Sequence, residues 1–73
     1  MNKQELAAEL LGVDVESSDF RHKPVPDEDL DYYWNNSRGG SAVIIDKDGE
    51  HLTAGSAVSF AEHLAAYKKG YRD

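Results

Sequence analysis

The chain predicts a small α+β domain: an antiparallel sheet of about three strands with an N-terminal and a C-terminal helix packed on one face, in the order α-β-β-β-α. Three observations predict it. Residues 42–45 (Ala-Val-Ile-Ile) form an unbroken apolar run next to turn residues. Asp48-Gly49 follows, a strong short-range hairpin signal. Two stretches with apolar residues at helical spacing flank this centre, each with its own capping residues.

The first helix is expected over Lys3–Leu11. Asn2 is placed to cap it, and Glu5, three residues on, completes a capping box. Leu6, Ala7, Leu10 and Leu11 form one apolar stripe, and Gly12 is placed to stop the helix. A helix this short is unstable alone, so it must dock on an apolar surface. Residues 13–26 read as irregular, with a short extended piece at Val13 and Val15. Pro24 and Pro26 push the residues before them away from helix. Residues 27–31 read equally well as one acidic helical turn or as a loop.

Tyr32-Tyr33-Trp34 is an aromatic run suited to a strand. There Tyr32 and Trp34 face one side and Tyr33 the other. Residues 35–40 supply turn chemistry. Residues 42–45 read as a central strand covered on both faces at least in part. With Asp48-Gly49 as a two-residue loop, Ile45 pairs with Leu52, Ile44 with Thr53 and Val43 with Ala54. Ser59 and Glu62 then open the second helix as a Ser-x-x-Glu box. Phe60, Leu64, Tyr67 and Tyr71 fall on one face, Lys68 and Lys69 suit the last turn, and Gly70 is the expected stop. A sheet face carrying Ile44 with Tyr33 or Trp34 is left partly open, or is covered by residues 13–26; both readings stand.

Seventy-three residues make one domain, residues 1–73. A domain this small buries only about 60% of its unfolded surface. Cysteine is absent, which excludes disulfides and thiolate metal sites. No apolar run reaches membrane-spanning length, and residues 1–12 lack a signal-peptide layout, so the expected location is the cytoplasm. The net charge of −6 is uneven. Residues 1–31 hold nine acids against Lys3, Arg21 and Lys23, whereas residues 32–73 hold five of each sign. The acidic front half repels phosphate backbones and attracts a basic protein surface. Simple solvation of a small surface accounts for the same charges.

Asp46, Asp48 and Gly49 match part of a calcium loop, but its other ligand positions fall on Ile44 and Gly55. His22, His51 and His63 show no His-x-x-x-His spacing, and zinc needs three or four ligands. His63 is expected at the edge of the helix face. Ser41, Ser56 and Ser59 lack a nucleophile elbow, and Ser59 is more simply a cap. Arg38-Gly39-Gly40-Ser41 offers backbone amides to a phosphate, yet it opens no helix and carries no Walker lysine. Asn35-Asn36-Ser37 matches a glycosylation sequon that a cytoplasmic chain would leave unmodified. No catalytic residue, metal or cofactor is assigned, and no enzyme activity is expected.

Binding chemistry fits better. Tyrosine and tryptophan are over-represented at interface hot spots, although they also fill small cores. An aromatic run beside the acids of residues 27–31 makes a mixed apolar and electrostatic surface. The expected contact residues are Asp27, Glu28, Asp29, Asp31, Tyr33 and Trp34, with Tyr33 or Trp34 the more exposed aromatic.

One resemblance sharpens this. Gly40, then Val43-Ile44-Ile45-Asp46-Lys47-Asp48-Gly49, then Leu52, then Gly55-Ser56-Ala57-Val58-Ser59-Phe60 with Glu62-His63, is similar to the C-terminal half of small bacterial immunity domains of the YrhB type. Those domains place a tryptophan strand ahead of this run, and Trp34 stands in that position. The likeness spans residues 32–69; the segment between the two strands, residues 35–41, is shorter here than is usual in that family. The resemblance implies a non-catalytic protein that binds a bacterial toxin and blocks it by occupying its surface. Two alternatives stay open: a structural domain that forms a homodimer through an open sheet face, and an acidic nucleic-acid mimic that inhibits a DNA- or RNA-binding enzyme. Neither nucleic acid nor a membrane is expected as a direct partner.

Overall fold

The computed structural model describes residues 2–36, 40–55 and 57–73. The elements follow in the order α1 (Lys3–Leu11), β1 (Phe20–Val25), a 3-10 turn (Pro26–Glu28), β2 (Leu30–Asn35), β3 (Ala42–Asp46), β4 (His51–Ala54) and α2 (Phe60–Lys68). Ser37 of the sequon, Arg38 and Gly39 of the phosphate-cradle candidate, and Ser56 lie outside the described residues.

The α+β reading holds, but the sheet has four strands, all antiparallel, in the order β1-β2-β3-β4. The additional strand is β1, which falls in the segment read as irregular. Its prolines concealed it. The Asn36 N–H donates to the Asp19 carbonyl, so the pairs 21/34, 23/32 and 25/30 share the ladder bonds. Pro24 falls between them, where an N–H would point away from β2. On an edge strand a missing donor at that position costs no ladder bond.

The helices do not share a face, as the sequence reading expected; they cover opposite faces. Ala7 and Leu11 of α1 pack with Tyr33, Val43 and Ile45, joined by Leu6, Val13 and Phe20. Tyr67 of α2 packs with Leu30 and Ile44, joined by Val25, Tyr32, Leu52 and Leu64. The cause lies in β3. Val43 and Ile45 point one way and Ile44 the other, and all three are fully buried. Each face therefore needs a cover, and one helix goes to each. The partly open face carrying Ile44 does not exist in this arrangement, and Ile44 and Tyr33 lie on opposite sides.

The helix ends form as their residues dictate. Asn2 Oδ1 accepts the Glu5 N–H at 2.8 Å, and the Glu5 side chain returns to the Asn2 N–H. Gly12 closes α1 in the left-handed region at φ 70°. Ser59 caps α2 against the Glu62 N–H at 3.2 Å. At its far end Gly70 adopts φ 102°, and the Tyr71 N–H reaches back to the Ala66 carbonyl at 3.2 Å, a Schellman close. That turn takes Tyr71 off the helix axis, so this residue, expected on the packed face, is 63% exposed. His63, expected at the edge of that face, is 1% exposed. It sits beneath the ring edge of Tyr32, with Nε2 2.7 Å from the Leu52 carbonyl.

The β3–β4 register is one residue away from the expected one: Ile44 pairs with Leu52 and Ile45 with His51. The loop has three residues rather than two. The Gly49 N–H bonds the Asp46 carbonyl at 3.2 Å, and the Asp46 N–H bonds Glu50 at 2.9 Å. Gly49 takes the left-handed position at φ 89°. The Asp46 side chain selects this turn, because its Oδ1 accepts the N–H groups of Asp48 and Glu50 at 2.9 and 3.0 Å. No helix among the described residues is long and apolar enough to cross a membrane.

Candidate functional site

An antiparallel meander places the β1–β2 and β3–β4 connections at the same end of the sheet. Both are acidic. In the first, Pro26 starts a 3-10 turn, and the chain leaves it through Asp29 in the left-handed conformation at φ 54°, which aspartate tolerates better than most residues. Asp27, Glu28 and Asp29 are all exposed there. In the second, Asp48 and Glu50 are exposed beside Lys47. A recess of about 240 Å³ lies between the two tips, bordered by the acids Glu28, Asp29, Asp46 and Asp48, by the cations Lys47 and Arg72, and by Leu30 and Tyr67.

The floor of this recess is tightly bonded. The Tyr67 hydroxyl donates to Asp46 Oδ2 at 2.6 Å, and the Arg72 guanidinium lies 3.5 Å from the centre of the Tyr67 ring. Burial pushes the Asp46 carboxyl up. The Tyr67 hydroxyl, the Asp48 and Glu50 N–H groups and the Arg72 charge outweigh it and hold Asp46 below its ordinary value. Lys68 Nζ meets Glu28 Oε1 at 2.8 Å and ties α2 to the tip. The carboxylates of Asp27, Asp29 and Asp48 have no ion-pair partner among the described residues. The recess thus sets four acids, Glu28, Asp29, Asp46 and Asp48, against Lys47 and Arg72, and its border keeps a negative excess.

The other expected contacts lie elsewhere. Asp31 is on the α1 face, where Lys3 Nζ reaches Oδ2 at 2.9 Å and His22 Nε2 meets Oδ1 at 2.8 Å. Burial raises its carboxyl, but those bonds and charges hold it below the ordinary value. Tyr33 is 4% exposed, stacked between the rings of Phe20 and His22, so it is not an exposed aromatic. Trp34 is half-buried on the α2 face, 5.4 Å from the Tyr32 ring. It lines a separate recess of about 190 Å³ with Asn36, Ser41 and Val58 at the far end of β2.

Of the six expected residues, the structure thus brings together Asp27, Glu28 and Asp29 and separates Asp31, Tyr33 and Trp34 from them. Asp48, Glu50 and Arg72 join the acidic end and were missed. The signal that finds them is the strand at residues 20–25, because a four-strand meander puts both tips side by side. No group of three or more His, Asp or Glu side chains suited to a metal ion occurs among the described residues. Comparison with family models, curated proteins and solved structures finds no significant match to this chain.

Proposed function

We propose that this domain is a non-catalytic protein-binding module that docks a basic surface against the acidic end of its sheet. The observation that carries the reading is the excess of acid where the two tips meet: Glu28, Asp29 and Asp48 border one recess, Asp27 and Glu50 are exposed on the same two tips, and Asp27, Asp29 and Asp48 have no ion-pair partner among the described residues. Unpaired surface carboxylates contribute little to folding, and together they steer a cationic partner. Under the immunity-type resemblance the partner is a bacterial toxin, held stoichiometrically with its working surface occluded. Trp34 sits toward the other end of β2, where it lines a different recess.

Affinity capture from the native lysate tests the reading, with Asp27→Asn/Glu28→Gln/Asp29→Asn as the matched bait. The parent should retain one protein in stoichiometric amount, and the neutralised bait should lose it. Equal recovery on both baits counts against the acidic rim as the interface. Self-association through an open sheet face has no support here, because each face carries its own helix.

A further inference from the structure

The two edges of the sheet are protected by different means. β1 guards itself: it carries Arg21, Lys23 and Pro24, all exposed, and charge and proline deter strand pairing. β4 (His51-Leu52-Thr53-Ala54) has neither lysine nor proline nor an acid. Its outward groups follow from the register. Asp46 and Glu50 share a β3–β4 bond, as do the pairs 44/52 and 42/54, so His51 and Thr53 direct their backbone groups away from the sheet.

Two of those four groups, the His51 carbonyl and the Thr53 N–H, are taken by Asp73. Its N–H donates to the His51 carbonyl at 3.1 Å. Its carboxylate accepts the Thr53 N–H at 3.1 Å and the Thr53 hydroxyl at 2.7 Å. One residue therefore presents a donor and an acceptor where a fifth strand would present them. Arg72 anchors it by stacking on Tyr67 and donating to the Tyr67 and Tyr71 carbonyls at 2.7 Å each. Gly70 supplies the bend that brings residues 71–73 back along β4.

We infer that β4 is a strand-docking edge for a second copy of this chain, and that the Asp73 tail blocks it in cis. The edge is self-complementary. Turned about a two-fold axis at Leu52, the His51 carbonyl and Thr53 N–H of one copy meet the Thr53 N–H and His51 carbonyl of the other. No like charges oppose each other in that pairing. Release of the tail joins two sheets edge to edge.

Sedimentation equilibrium of the full chain over a dilution series, compared with Asp73→Ala, tests this. The variant should self-associate about tenfold more tightly than the parent. Adding Thr53→Pro should reverse the gain, because proline removes the outward donor without touching a β3 bond. A cooperatively melting Asp73→Ala chain that associates no more tightly than the parent overturns the inference. So does tighter association that survives Thr53→Pro. If Asp73→Ala loses its cooperative melt, Arg72→Ala loosens the same tail from Tyr67 and is read by the same two criteria.

Discussion

The Tyr67 hydroxyl and the Asp46 carboxylate are joined at 2.6 Å across the boundary between α2 and the sheet. Burial raises the Tyr67 hydroxyl, and the bond and charge of Asp46 raise it further, to about 12 from an ordinary 10.0. The folded state favours the neutral phenol. Its contribution is complete below pH 10 and is lost as pH climbs through about 12. The loss should reach at most about 2–3 kcal/mol. Tyr67→Phe should cost about 1–2 kcal/mol at neutral pH and reduce the alkaline loss. The residual slope should come from Tyr32 and Tyr33, which burial also raises. Urea melts of both proteins at neutral and strongly alkaline pH check this.

Acid acts as well on the opposite face of the sheet. Asp31 is held below its ordinary 3.8 by Lys3 and His22, so its contribution is present above that value and disappears as pH falls through the lower folded one. Lys3→Met keeps the stem and removes the charge. It should cost about 0.5–1 kcal/mol at neutral pH, the range for a part-exposed pair, and make the acid limb shallower. An unchanged acid limb in urea melts would contradict the assignment.

The two-sided sheet makes a sharp claim about β3. Ile44 and Ile45 are both 0% exposed but face different helices. Ile44→Ala and Ile45→Ala should each cost about 2–5 kcal/mol. If either costs under about 1 kcal/mol in chemical denaturation, that face is not covered as described.

The β3–β4 turn distinguishes two aspartates two residues apart. Asp46 accepts bonds from Asp48, Glu50 and Tyr67, whereas the Asp48 carboxylate is exposed and has no partner among the described residues. Asp46→Ala should cost at least about 2 kcal/mol and Asp48→Ala under about 0.5 kcal/mol. Gly49→Ala should cost about 1 kcal/mol, since its φ of 89° excludes a Cβ without strain. Thermal melts of the three variants give the ranking.

Local signals were legible because their partners are close in sequence. The Asn2–Glu5 box, Gly12 and Ser59–Glu62 mark both helices, and alternation along residues 32–34 already separates Tyr33 from its neighbours. What stayed hidden depends on contacts across the chain. β1 is an edge strand with exposed residues between its half-buried ends, so it lacks the apolar run that marks a buried strand. A two-residue and a three-residue loop at Asp48-Gly49 differ by one register step, and the Asp46 side chain decides between them. Asp31 and Trp34 lie close in sequence but on opposite faces, which splits the expected contact patch. The bonds of Asp73 to β4 span 20 residues, beyond any local pattern.

The affinity of the captured partner for the purified domain, measured against salt concentration, tests the acidic rim most directly. The account predicts parent binding that weakens steeply as salt rises. It also predicts Asp27→Asn/Glu28→Gln/Asp29→Asn binding about tenfold or more weaker, with a flatter salt dependence. Equal affinities and equal salt slopes for the two proteins would contradict it.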